Sequence, residues 1–218
     1  MIRPQLTAKA DIRRLIRTRR RDIGALERQQ ASLQVAQQLE TIFTTKFPSS
    51  KKHRLNVAAF IAQDGELDLT ATIERLWNKG SKVYLPKLRP LPPNRLWFTH
   101  YTSQSPMEHN RYGIPEPATN QWIRPSRLDV VLMPLVAFDL TGRRLGMGGG
   151  FYDRTLAHLP RSAEIPLLIG VAFDQQQVTQ VPVEKWDVPL NYVVTPSQIV
   201  TPSQITTPKQ NLSLKNIQ

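Results

Sequence analysis

The 218-residue chain contains no cysteine, which excludes disulfides, thiolate nucleophiles and thiolate metal sites. Long apolar runs are also missing. No stretch nears the ~20 residues a bilayer span requires, and the opening Met1-Ile2-Arg3-Pro4-Gln5 lacks the apolar segment of a secretory signal. The expectation is a cytoplasmic protein with no membrane partner. The four histidines, His53, His100, His109 and His158, show no HxxxH, HExxH or HxH spacing, so a histidine metal centre is not indicated. No serine stands in a GxSxG elbow and no catalytic triad can be assembled. Covalent catalysis by the protein is therefore not expected.

Acidic residues are scarce, 17 against 29 Lys and Arg, for a net charge of +12. The excess is concentrated: Arg3, Lys9, Arg13, Arg14, Arg17, Arg19, Arg20 and Arg21 face only Asp11 within residues 1–21. Such a segment points to a phosphorylated or polyanionic ligand. A basic helix contacting nucleic acid is one reading and a solvated basic face is another. No aromatic stacking platform accompanies the arginines.

Periodicity predicts a helix capped by Thr7 and running to Arg21, ended by Gly24. A second runs over about 26–47, its stripe formed by Leu33, Val35, Leu39, Ile42 and Phe43. Strand 55–61 precedes a helix over 67–79 that buries Leu69, Ile73, Leu76 and Trp77 and stops at Gly80. Short strands follow at 82–86 and 95–98. The proline-rich region 86–125 reads mainly as loop. Strand 128–133, helix 151–159 and strand 167–173 come next, then possible short strands at 178–181 and 192–194. Strands alternating with helices indicate an α/β protein with a largely parallel sheet in a three-layer α/β/α arrangement. Residues 1–194 form one domain; 195–218, which repeats Thr-Pro-Ser-Gln-Ile, reads as a low-complexity, disordered tail.

Glycine is sparse too, ten residues in all, yet Gly142, Gly146, Gly148, Gly149 and Gly150 fall within nine positions. They lie between strand 128–133 and the helix starting at Phe151. Strand, glycine turn and helix start make an anion cradle, because the backbone can approach a ligand closely and presents free N–H groups. The spacing is neither GxxxxGK[ST] nor GxGxxG. Without thiols or paired histidines, oxygen ligands remain. Asp153 and Asp187 would suit Mg²⁺ beside phosphates, or serve as a helix-start residue and a turn residue. Glu66 could bind a ligand or cap the following helix. Tyr112-Gly113-Ile114-Pro115-Glu116-Pro117 is a rigid loop that shapes a pocket wall or merely connects.

These segments, in this order, resemble the 5-formyltetrahydrofolate cyclo-ligase family. The resemblance is carried by Lys9-Ala10-Asp11-Ile12-Arg13, by Phe60-Ile61 with Glu66-Leu67-Asp68, and by Gly113-Ile114-Pro115-Glu116-Pro117. It continues through the strand at 128–134, the Phe-Asp-x-x-Gly-x-Arg-Leu-Gly-x-Gly-x-Gly-Phe-Tyr-Asp run at 138–153, and Val181-Pro182 with Asp187. It covers roughly residues 9–195. It implies a fold like that of ribose-5-phosphate isomerase and CoA-transferases. It also implies a monomer that binds small molecules and not nucleic acid. The implied reaction converts 5-formyltetrahydrofolate and ATP, with Mg²⁺, into 5,10-methenyltetrahydrofolate, ADP and phosphate through a phosphorylated formyl group.

By the same resemblance Lys9, Arg13, Arg144, Leu145, Gly146, Met147, Gly148, Gly149, Gly150, Phe151 and Tyr152 would bind ATP. Ile61, Glu66, Met147, Gly148, Gly149, Gly150 and Phe151 would meet the folate. Arg144 and Tyr152 would act in catalysis, and Asp153 and Asp187 would hold the metal. The chain departs from the family pattern at Met147, usually tyrosine or a basic residue, at Phe151, usually tyrosine, and at Asn191, often aspartate.

Overall fold

The computed structural model describes residues 8–48, 54–91, 94–157, 159 and 165–202. Helix α1 (Lys9–Arg21) and helix α2 (Ala25–Lys46) precede strand β1 (Asn56–Ala58), helix α3 (Thr70–Asn78) and strands β2 (Lys82–Leu88) and β3 (Leu96–Tyr101). Strands β4 (Met107–His109), β5 (Pro115–Pro117) and β6 (Trp122–Ile123) follow, then β7 (Val130–Pro134), β8 (Ala137–Phe138) and β9 (Arg144–Leu145). Helix α4 (Phe151–Leu156) and strands β10 (Leu167–Val171), β11 (Tyr192–Val194) and β12 (Ile199–Val200) complete the order.

Eight strands form one sheet in the order β12-β11-β10-β7-β1-β2-β3-β6. Five neighbouring strands (β11, β10, β7, β1 and β2) are parallel; β12 and β3 run opposite to them, and β6 pairs antiparallel with β3. Burial on both faces explains the apolar runs: along β7, Val130 and Leu132 face one core cluster while Val131 and Met133 face another. The first cluster is closed by Val35, Leu39 and Ile42 of α2 and by Ile73 and Leu76 of α3; the second takes Leu156 of α4 and Phe138 of β8. The α/β reading with a largely parallel sheet holds.

The chain leaves β1 toward β2 on one side and leaves β7 toward β10 on the other. The β1/β7 pair is therefore the switch point of the sheet, and the crevice beyond its carboxyl ends is where such folds bind ligands. After β1 comes the segment carrying Ile61 and Glu66; after β7 comes the hairpin β8–β9 and the glycine loop.

Several expectations need correction. Residues 195–202 are not a disordered tail: Thr195 is fully buried, and β12 pairs with β11 through Val193↔Val200 and Val194↔Ile199. Short β pairing absorbs a segment too polar to form a core by itself. Region 86–125 holds β3 to β6 rather than mainly loop, with Pro115 and Pro117 tolerated in a two-stranded hairpin outside the main sheet. Residues 178–181 form no strand. Gly24 is the N-cap of α2, whereas α1 already ends at Arg21. Leu33 is half exposed, and Ala31, Ser32 and Ala36 join the buried face in its place. Thr7, His53, His158 and residues 203–218 lie outside the described residues.

Candidate functional site

Helix α1 organises the crevice with two adjacent stripes. Ile12, Ile16 and Arg20 are spaced by four and buried. The two isoleucines pack on Val136, Ala137, Leu145 and Val181, which fixes the helix against the hairpin leading into the glycine loop. The neighbouring stripe is Lys9, Arg13, Arg17 and Arg21, again four apart. Arg13 Nε donates to Gly146 O at 2.8 Å. Lys9 Nζ lies 3.3 Å from Glu184 Oε1 and 3.9 Å from Asp187 Oδ2. One face of α1 thus meets the glycine loop and the 184–187 turn together.

The loop has the conformation only glycine tolerates. Gly148 and Gly150 have φ of 105° and 62°. At Gly149 an added Cβ would lie 2.6 Å from the Phe151 ring. Gly150 is the N-cap of α4 without a side-chain cap. With six residues this helix has little macrodipole, so direct N–H donors must do the work of the cradle. Met147 is half exposed, and Phe151 meets Tyr112 edge-on at 6.0 Å. The side chain of Leu145 is buried in the α1 core, and its carbonyl accepts from Val136 N at 2.7 Å.

Arg144 and Asp153, expected to serve nucleotide and metal separately, form an ion pair. Arg144 also donates to Val188 O, and Val188 N donates to Asp153 Oδ1 at 3.0 Å. This triangle fastens the glycine loop to the turn holding Asp187, whose Oδ2 accepts from Glu184 N at 2.8 Å. Among the described residues no three His, Asp or Glu side chains cluster to hold a metal. The donor set is nevertheless chemically suited to Mg²⁺, which commonly takes one or two carboxylates plus phosphate oxygens and water. The protein hydrogen bonds fall on one oxygen of each carboxylate, Oδ1 of Asp153 and Oδ2 of Asp187.

Across the crevice, Ile61 packs on the first core cluster and Glu66 has a side chain 12% exposed. Glu66 Oε2 accepts from Gln63 N at 3.1 Å, so it closes its own turn rather than capping α3. Burial pushes the Glu66 carboxyl above its ordinary range, against the pull of Gln63 N–H and Arg20. Burial, and next the nearby Glu66 charge, push the Tyr152 phenol far up, while Arg144 opposes. Tyr152 thus keeps its proton and is suited to donate a hydrogen bond rather than to act as a base.

Sequence reasoning missed the residues that hold this second wall. Asp64, at φ 48°, receives Arg17 Nε at 2.7 Å and Arg20 Nη2 at 3.2 Å on Oδ2, and Arg21 on Oδ1. Arg28 Nη1 donates to Gly65 O at 2.8 Å. Burial alone would raise the Asp64 carboxyl, but bonds from Arg17 and Arg21 bring it below the usual range. Within this stripe Arg17 and Arg21 are therefore paired with a carboxylate rather than only solvated, while Lys9 and Arg13 point to the glycine loop and the 184–187 turn. Only the unusual density of arginine signalled it. Glu116, the possible pocket-wall residue, is buried and accepts from Leu88 N at 3.2 Å and Asn110 Nδ2 at 3.0 Å, which anchors the hairpin presenting Tyr112. Asn191 faces the sheet, its Oδ1 accepting from Leu168 N at 2.7 Å.

Known proteins resemble this chain in sequence and in fold. The sequence model of the 5-formyltetrahydrofolate cyclo-ligase family matches residues 5–196. 5-Formyltetrahydrofolate cyclo-ligase of Escherichia coli (strain K12) is 46% identical over 186 residues, 84% of this chain and 98% of the relative. The Haemophilus influenzae protein of that name is 41% identical over 184 residues, 84% of this chain and 94% of the relative. The solved structure of Aquifex aeolicus 5,10-methenyltetrahydrofolate synthetase superposes with a TM-score of 0.72 at 26% identity, covering 95% of this chain and 99% of that one. The chain belongs to the 5-formyltetrahydrofolate cyclo-ligase family.

Proposed function

We propose that this cyclo-ligase consumes ATP to convert 5-formyltetrahydrofolate into 5,10-methenyltetrahydrofolate, ADP and phosphate, acting as a monomer on small molecules. The observation that carries the reading is the two-walled crevice at the β1/β7 switch point. One wall is a glycine loop ringed by Lys9, Arg13 and Arg144, and the other presents Ile61 and a largely enclosed Glu66. The first suits a triphosphate, the second an apolar heterocycle with a polar N–H edge.

In the proposed reaction the formyl oxygen attacks the γ-phosphorus and ADP leaves. N10 then attacks the activated carbon, phosphate departs with the oxygen, and N10 loses its proton. No protein nucleophile is needed. Phosphoryl transfer asks for positioning and charge neutralisation, which matches a site without a triad. Loop N–H groups at 146–150, with Lys9 and Arg13, would hold the phosphates. Arg144, oriented by Asp153 and Val188 O, would meet the transferring charge. Met147 and Phe151 would lie against both substrates. Ile61 would pack on the pterin and Glu66 would accept from its N–H edge, while Tyr152 would donate to the formyl group. Asp153 and Asp187 would hold Mg²⁺, which when bound neutralises phosphate charge.

Convergence of Arg17, Arg20 and Arg21 on Asp64 weighs against nucleic acid as the partner of α1. The test mixes purified protein, Mg-ATP and 5-formyltetrahydrofolate and follows the methenyltetrahydrofolate absorbance band, with ATP omitted as control. ATP-dependent growth is the expected result. No growth from folded protein would overturn the reading.

A further inference from the structure

Arg20 is fully buried, the largest side chain so enclosed among the described residues. Its Nε and Nη2 donate to Asp64 O at 3.1 and 2.8 Å, Nη2 reaches Asp64 Oδ2 at 3.2 Å, and Nη1 donates to Leu135 O at 3.4 Å. Nη1 also lies 3.8 Å from Glu66 Oε1. Asp64 follows β1 and Leu135 follows β7, so one guanidinium spans the carboxyl ends of both switch-point strands. Burying such a charge costs more than an apolar side chain of similar size would. What the charge supplies here is geometry: it ties the crevice floor to the turn that carries Glu66.

We propose that Arg20 is a positioning residue, fixing the turn at 63–66 and aiming the Glu66 carboxylate at the folate; this rests on the folate reading above. Arg20 acts through Glu66 and need not touch substrate. The charged and titratable groups facing Glu66 are Arg20 from α1, Asp64 within its own turn, and Tyr152 from α4 with Arg144 behind it. Arg20 favours the ionised carboxylate, whereas burial and Asp64 oppose it. Removing Arg20 both frees the turn and shifts Glu66 further toward its protonated form.

The wild type is assayed first, because its failure to form product sinks the folate reading and not this inference. The KM for each substrate and the pH profile are then measured for Arg20→Gln and Arg20→Lys. Arg20→Gln is expected to raise the folate KM tenfold or more, to leave the ATP KM within twofold, and to move the acid limb to higher pH. Arg20→Lys keeps a cation but loses the fork, so the acid limb returns while the folate KM stays high. In a Glu66→Gln background, Arg20→Gln should add less than twofold to the folate KM. Equal rises in both KM values, an unmoved acid limb, or full additivity with Glu66→Gln would overturn the proposal. Should Arg20→Gln not fold, the same KM split and the same double substitution with Arg20→Lys decide it.

Discussion

The two walls of the crevice are built on opposite principles. The glycine-loop wall is largely backbone, with Met147 half exposed and φ values of 105° and 62° at Gly148 and Gly150. It is fastened at its edges by Arg13 to Gly146 O and by the Arg144–Asp153–Val188 triangle. The opposite wall is a four-residue turn held by four arginines of α1 and α2, with its carboxylate largely enclosed. Phosphates need many N–H donors in a surface that can yield as charge moves between oxygens. A heterocycle recognised by one carboxylate needs that carboxylate fixed. Helix α1 serves both, Lys9 and Arg13 toward one wall and Arg17, Arg20 and Arg21 toward the other.

The sharpest way to break this contrast is to cut the triangle. Arg144→Ala and Asp153→Ala should each lower kcat/KM by about 10²–10³-fold, the scale of losing one preorganised charge contact in a transition state, with circular dichroism little changed. Because the two side chains form one ion pair, the double variant should cost little more than either single one. Additive losses would mean that the residues act independently and that the triangle is incidental. Unchanged turnover in both single variants would remove them from the site.

The opposite wall is tested by Glu66→Gln. In the proposed role its burial-raised carboxyl accepts from the pterin edge in its ionised form, so folate binding would be retained above the raised value and lost as pH falls through it. The acid limb in kcat/KM for folate should therefore lie above the ordinary carboxylate range. Glu66→Gln should flatten that limb and raise the folate KM roughly tenfold, about 1.4 kcal/mol, while the ATP KM stays put. A limb that survives the substitution would assign the titration elsewhere.

What the sequence disclosed follows the same division. Order and pattern located the parallel strands, because both-face burial writes continuous apolar runs such as 130–133. Clustered glycines marked the loop, since backbone demands of that kind leave a compositional trace. The clamp on Asp64 left only a density of arginine that names no partner: three arginines on a helix look alike whether they face water or a carboxylate 43 to 47 positions away. Pairing of β12 was hidden for a related reason, as two residues of edge strand are specified by their partner rather than by their own composition. Leu145 was drawn into the site by its neighbours in the motif, although its side chain belongs to the core.

Two glycines separate local fit from global stability. At Gly149 an alanine Cβ would press on the Phe151 ring at 2.6 Å, displacing a side chain of the site; the ATP KM should rise several-fold with a small change in Tm. At Gly142 the φ is 78° and the Cβ would collide with the Pro202 ring. Gly142→Ala should therefore cost about 1–3 kcal/mol of stability and leave both KM values nearly unaltered. A reversed pattern, with Gly142→Ala poisoning ATP binding and Gly149→Ala only unfolding, would break the division between the loop that binds and the turn that is merely held.

The smallest effect is expected at Met147, half exposed on the nucleotide wall. Met147→Lys would place a cation near the proposed triphosphate site. Solvent screens a side chain so exposed, and ordering a long lysine costs rotamer entropy. The gain should therefore stay near the surface-pair scale of about 0.5 kcal/mol, roughly a twofold fall in the ATP KM. It should shrink further as salt is raised, because the Debye length falls to about 8 Å at physiological ionic strength. A tenfold gain that persists in high salt would mean that the phosphates lie in a far more enclosed environment than this wall provides. The contrast between an open, backbone-built wall and a buried, clamped one would then have to be redrawn.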